Sequence, residues 1–204
     1  MPLFNHFDFL APIYDAVIRS GASPQLLKLL DLQPGLLVLD AAGGTGRIAR
    51  WIAPAIERQD LHSESHFNRS AVRGVIVVDL SLPMLRRMVQ RPNLAGICAS
   101  AVRLPYADAL FDRILMVDAL HHVADQAQAV RELVRVLKPG GRLVIEEPDI
   151  QARPVKWIAL AEKLAGMGSR FLTLSEGTTL FAGLPGNLYH HQADHTIWWW
   201  FEKH

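Results

Sequence analysis

The 204-residue chain has one cysteine, no long apolar run and almost no net charge, and each shortage removes a class of function. With Cys98 alone there is no internal disulfide and no cysteine-rich zinc site, which fits a reducing compartment. Asp, Arg, Lys or Gly interrupts every apolar stretch well short of the roughly 20 residues that cross a bilayer, so no stable membrane insertion is expected. The opening "MPLFNHFDFLAPIYD" lacks a basic segment followed by an unbroken apolar one, does not read as a secretory signal, and points to a cytoplasmic location. A formal charge of +1 with both signs interspersed supplies neither a footprint for nucleic acid nor a polybasic patch for anionic lipid. The expected partner is a small molecule.

What is present is apolar side chains, 50% of the sequence, enough for the core of one domain. Apolar spacing predicts helices over Phe9 to Arg19 and Pro24 to Leu32, ending before the turn signal "QPG". Leu36 to Leu39 reads as a strand covered on both faces, and Gly46 to Ile56 as a helix broken by Pro54. The polar stretch "ERQDLHSESHFNRSAV" reads as a surface loop. Then come a strand from Gly74 to Val78 ending at Asp79, a helix over Leu82 to Gln90 and a short strand over Ala95 to Ala99. "FDRILMVDALHHV" gives a fourth strand, Ala124 to Leu137 an amphipathic helix stopped by "KPGG", and Arg142 to Glu146 a fifth strand.

Strands separated by helices of this length need right-handed crossovers, which yields an α/β fold with a parallel sheet covered on both faces. Beyond Pro148 the spacing predicts helices over Val155 to Met167 and Ser175 to Ala182. "GNLYHHQADHTIWWWFEK" follows as two strands about a turn at Ala193 and Asp194. Trp198 to Trp200 are read as core and edge packing.

The stretch "VLDAAGGTGRIA" joins the first strand to its helix, where open parallel sheets bind ligands. Glycines allow positive φ and let a ligand lie against the main chain, while the helix start favours negative charge, so a nucleotide-like ligand is expected. Gly44, Gly46 and Ala49 satisfy G-x-G-x-x-G/A, which keeps NAD, and with it an oxidoreductase, in play. No Gly-Lys-Ser/Thr follows, which removes a P-loop. Against NAD stands Asp40, whose carboxylate repels a diphosphate by several kcal/mol at roughly 5 Å and an effective dielectric of about 20. S-adenosylmethionine (SAM) carries a sulfonium and an ammonium and no phosphate, and suits an acid beside bare backbone.

"VLDAAGGTG" resembles the first motif, D-x-G-x-G-x-G, of class I SAM-dependent methyltransferases. "VVDLSLPML", "ASAVRLPYADALFD" and "VLKPGGRLVIEEPD" are similar to that family's later segments and come in its order, covering about Leu36 to Asp149. "FDFLAPIYD" also resembles the N-terminal helix of the ubiquinone and menaquinone C-methyltransferases. The resemblance implies a Rossmann-like fold with a mostly parallel seven-stranded sheet and a C-terminal antiparallel hairpin. One domain is expected over 1–204, with a helical lid at 1–33, a SAM-binding core at 34–149, and helices plus hairpin at 150–204. It implies methyl transfer from SAM to a small acceptor, and the apolar helices with Gly183 to Gly186 point to an apolar one. A SAM-binding protein without turnover is the remaining alternative.

Two positions depart from the family's pattern. Ala42 stands at its first glycine, a change tolerated where φ is negative. Ser100 replaces the aspartate that accepts from the adenine amino group, and a neutral acceptor is weaker by about 1 kcal/mol.

Carried over residue by residue, the resemblance has Asp40, Ala42, Gly43, Gly44 and Gly46 form the cofactor loop, and Asp79 take the ribose hydroxyls. Ser81 is left to cap the next helix. Leu80 and Met84 flank the adenine or belong to the core. Ser100 and the Ala101 amide meet the base edge, with Leu104 and Tyr106 over its other face or packed. The main chain of Asp118 and Ala119 lies near the sulfonium. Tyr14, beside Asp15 on the lid, reaches the cofactor carboxylate or packs. His121 and His122 are the candidates for acid/base catalysis, or are ordinary loop residues. No metal is called for in an in-line displacement at methyl, and His190, His191, Asp194 and His195 read as exposed polar residues rather than ligands.

Overall fold

The computed structural model describes residue 8 and residues 21–57, 74–88 and 94–204. The expected N-terminal helix with Tyr14 and Asp15, and nearly all of the polar stretch after Glu57, lie outside the described residues.

Helix α1 (Pro24–Leu30) starts at Ser23, whose hydroxyl accepts from the Leu26 amide, with proline in the first turn. Asp31 closes it in the left-handed region at φ 46°. Then come β1 (Leu37–Ala41), α2 (Ala49–Glu57), β2 (Gly74–Asp79), α3 (Leu82–Arg86), β3 (Leu94–Cys98) and β4 (Phe111–Val117). A single 3₁₀ turn (Leu120–His122) precedes α4 (Gln126–Val136) and β5 (Leu137–Pro148). The chain finishes with α5 (Arg153–Leu164), α6 (Leu174–Thr179), β6 (Gly186–Ala193) and β7 (Thr196–Lys203).

The seven strands form one sheet in the order β3-β2-β1-β4-β5-β7-β6. The first five are parallel, and β7 runs antiparallel to both β5 and β6. Order reverses between β1 and β4, which opens a crevice at the carboxyl ends of the strands and fixes where the first loop lies.

Alternation along the strands divides the core. Val38, Val75, Val77, Leu115, Val144 and Trp198 face α1 to α3 on one side. Leu39, Ile114, Met116, Leu143, Ile145, Trp199 and Phe201 face α4 and α6 on the other. The tryptophan run is therefore packing: Trp199 is fully buried, Trp198 nearly so, and Trp200 stacks on Tyr189 at 5.4 Å.

Several boundaries differ from expectation. α2 runs unbroken through Pro54, which lies on the exposed face of the helix. α3 ends at Arg86 rather than Gln90. β4 stops at Val117, because Asp118 turns to φ 51° and the histidines wind into the 3₁₀ turn. α5 stops at Leu164, short of Met167, with Gly166 at positive φ just past it. The hairpin pairs Ala193 with Thr196, so the turn is Asp194 and His195, with Asp194 at φ 53°.

Candidate active site

At the carboxyl ends of β1, β2 and β4 the chain collects acids. Asp40 sits near the end of β1 and is buried. One of its oxygens takes the Ala49 amide at the head of α2, while Oδ2 is buried without a hydrogen-bond partner. Burial pushes its carboxyl up to about 7, against the pull of Arg47 and the Ala49 amide, and Asp79 nearby adds to the rise.

The loop after Asp40 is tight. Gly43 donates to the Val78 carbonyl at 3.2 Å, and Gly46 returns to the Gly43 carbonyl at 2.9 Å. A Cβ on Gly43 would lie 2.7 Å from Asp40 Oδ2 and 2.8 Å from Val77, so only glycine fits. Gly44 and Gly46 take φ 57° and 70°. Ala42 also takes φ 57°, so the condition of a negative φ, under which alanine is tolerated here, is not met. The turn needs the left-handed conformation at this position too, and alanine occupies it at a strain of about 1–2 kcal/mol.

Asp79 spans the two loops, with Oδ2 accepting from the Gly44 amide at 2.9 Å and Oδ1 from the Ser81 amide at 2.7 Å. Burial raises its carboxyl against those two bonds, with a further push from Asp8. Ser81 caps α3 through the Met84 amide and also donates to Asp8 at 2.5 Å. Leu80 is 55% exposed beside this crevice, whereas Met84 is enclosed at 2%.

The Ser100 hydroxyl accepts from the Val102 amide at 3.3 Å, and Ala101 is buried next to it. Leu104 and Tyr106 belong to the core: the Leu104 amide binds Glu132, and the Tyr106 ring packs edge-on against Phe111 at 5.0 Å.

Asp118 follows β4 with its carboxyl pushed up to about 6, first by burial and next by Glu147, while Arg47 pulls the other way from 3.4 Å. The Ala119 amide donates to Glu147 Oε1 at 2.8 Å and the Leu120 amide to the same oxygen at 2.7 Å.

His121 is buried, with Nδ1 2.5 Å from Glu147 Oε2. Burial alone would lower its basicity, but the Glu147 carboxylate overcomes it and the net direction is up. His122, bonded through Nδ1 to Ser169 Oγ at 3.0 Å, is driven down to about 3 by burial and by the charge on His121.

The structure thus gathers Asp40, Ala42, Gly43, Gly44, Gly46, Asp79 and Leu80 around one crevice and sets Asp118 and Ala119 at its β4 side. Met84 is placed inside the fold and Tyr106 against Phe111. Among the C-terminal residues, His191 stacks on Trp198 at 5.7 Å. Arg47, Glu147 and Glu162 were not picked out from sequence. Arg47 directly follows the glycine turn, a signal that was there to use, whereas nothing in the spacing links Glu147 or Glu162 to the histidines.

Against known proteins, a family described as "Methyltransferase domain" matches residues 39–145. "Methyltransferase GfsG" of Streptomyces halstedii is 35% identical over 127 residues, 60% of this chain and 41% of that protein. A demethylmenaquinone methyltransferase of Paenarthrobacter aurescens is 34% identical over 149 residues, 69% of this chain and 53% of that one. The chain spans about half the length of the curated relatives it matches. Among solved structures, a SAM-dependent methyltransferase of Thermotoga maritima superposes with a TM-score of 0.71 at 20% identity, covering 97% of this chain and 98% of that one. With the glycine turn and the acids at the strand ends inside the matched residues, the chain belongs to the methyltransferase-domain family.

Proposed function

We propose that this protein transfers the methyl group of SAM to a small, apolar acceptor. The observation that carries this is Asp40 Oδ2: a buried oxygen with no donor, at the head of a glycine turn and near the partly buried carboxylate of Asp79. Such a crevice attracts a cation and repels a diphosphate, which argues for the aminoacyl end of SAM and against NAD.

When bound, SAM supplies an electrophilic methyl group on a sulfonium. Asp40 receives the cationic end, with the amides of the Ala42 to Gly46 turn lying alongside. Asp79, already held in place by the Gly44 and Ser81 amides, has further lone pairs for two ribose hydroxyls. Leu80 covers one adenine face, Met84 supports it from below, and Ser100 with the Ala101 amide borders the base edge. Asp118 and Ala119 border the reacting end. Aligning the acceptor in line with the methyl and excluding water does most of the work, since charge is lost from sulfur in the transition state.

An apolar acceptor is supported by the demethylmenaquinone methyltransferases among the relatives and by the apolar side chains of α5. Calorimetry with SAM and S-adenosylhomocysteine, followed by transfer of labelled methyl from SAM to a panel headed by demethylated naphthoquinols, tests it. Saturable binding of both ligands and label in an apolar product are expected. Absence of binding at millimolar ligand, or tighter binding of NADH, would overturn it.

A further inference from the structure

Beside the crevice, the 3₁₀ turn and α5 bring together side chains that the methyl-transfer scheme does not use. One nitrogen each of His121 and His122 and a carboxylate oxygen of Glu162 lie within 4.8 Å of one another. Glu162 Oε2 is buried and has no hydrogen-bond partner among the described residues, a loss of solvation worth about 1–3 kcal/mol.

Each histidine is also held in one orientation. Nδ1 of His121 is committed to Glu147 Oε2, and Glu147 is itself anchored by the Ala119 and Leu120 amides. A carboxylate on one ring nitrogen fixes the tautomer and raises the basicity of the other, the arrangement that surrounds metal-bound imidazoles. Nδ1 of His122 meets Ser169 Oγ, which turns its Nε2 away from the serine. Phe171 stacks on His121 at 4.3 Å and His122 tilts against it at 3.9 Å, so neither ring is loose.

We propose that His121, His122 and Glu162 form a binding site for a divalent transition metal. Two imidazoles and one carboxylate suit zinc, cobalt(II), manganese(II) or iron(II), and are a poor match to magnesium or calcium, which take oxygen cages. Three protein ligands leave at least one position for water or an incoming oxygen ligand. The site ties α5 to the end of β4. That its open position faces the methyl acceptor rests on the methyl-transfer reading above; the metal site itself does not.

The test uses the full, tag-free chain stripped with chelator and titrated with cobalt(II), followed by its visible ligand-field absorption, then by displacement with zinc. One equivalent should bind saturably. Glu162→Gln should abolish it, and Glu147→Gln should weaken it by about 10- to 100-fold as the outer partner of His121. His191→Asn, on the exposed hairpin, should leave it unchanged. Glu162→Gln removes a buried acceptor without changing shape and should stay folded, as circular dichroism and retained S-adenosylhomocysteine binding will report. Lost cobalt with retained S-adenosylhomocysteine supports the site independently of the cofactor crevice. A folded wild-type chain that binds neither metal saturably, or a Glu162→Gln variant that binds cobalt as wild type does, overturns it.

Discussion

Replacing Asp40 by asparagine removes a charge while nearly keeping the shape, and the structure assigns that charge two opposite consequences. Burial raises the Asp40 carboxyl from 3.8 to about 7. The folded protein therefore holds this proton more tightly than the unfolded chain does. The stability this provides is complete below about pH 4 and is lost as pH rises to about 7, beyond which it stays constant. A shift of about three units corresponds to about 4 kcal/mol. Some of it is recovered as water and the nearby Arg47 adjust, so about 2–4 kcal/mol should be measured.

Urea unfolding of the ligand-free protein from pH 4 to pH 8, beside Asp40→Asn, isolates the effect, because the raised carboxyls of Asp79 and Asp118 contribute to both proteins. The stability difference between the two should move by that amount in favour of the variant as pH rises. Cofactor binding should move the other way. If, as proposed, ionised Asp40 receives the ammonium, wild-type affinity for S-adenosylhomocysteine should rise about tenfold per pH unit up to about 7 and then level off. The variant should bind more weakly and without that slope. A pH-independent stability difference, or a variant that binds as tightly as wild type at pH 8, refutes the assignment of Asp40 as the cation-receiving group.

Other expectations are simpler. Ala42→Gly releases a left-handed alanine and, after glycine's larger entropy loss on folding, should stabilise the protein by about 0.5–1 kcal/mol in the same urea assay; destabilisation would contradict the strain. Gly177→Ala would set a Cβ 2.2 Å from the Trp199 ring, so the unfolding free energy should fall by about 1–3 kcal/mol; unchanged stability would mean α6 moves freely off the sheet. Lys203 donates from Nζ to the Val134 and Leu137 carbonyls, each at 2.7 Å, at the end of α4. Lys203→Met should cost about 1–2 kcal/mol, read by thermal unfolding together with faster amide exchange in the last turn of α4.

The parallel half of the sheet was legible in the sequence because buried strands announce themselves as short apolar runs, and Leu37 to Ala41 and Gly74 to Asp79 stand where those runs fall. Helix ends were less legible, since they depend on local dihedrals that composition does not carry. Pro54 reads as a breaker yet lies mid-helix on an exposed face, and the Asp194 turn is displaced by one residue because aspartate accepts positive φ. Ala42 is the same lesson reversed: at a position where glycine is the family's choice, the turn kept its geometry and the alanine followed it.

The two halves of the strand-end region differ in legibility for a physical reason. The cofactor crevice is built from loops that each directly follow a strand, so a local motif reports its chemistry: Asp40 and the glycine turn lie within seven consecutive residues, 40 to 46. The histidine cluster is held by partners far away in the chain, Glu147 at a separation of 26 residues and Ser169 at 47. A carboxylate on a mostly exposed helix looks like any solvated glutamate until the fold turns it inward, and Glu162 acquires its meaning only from the withdrawal of Oε2 from water beside two fixed imidazoles. Chemistry made by one loop can be read from order alone, whereas chemistry made between elements is set by how the fold brings Glu162 of α5 to the 3₁₀ turn that holds His121 and His122.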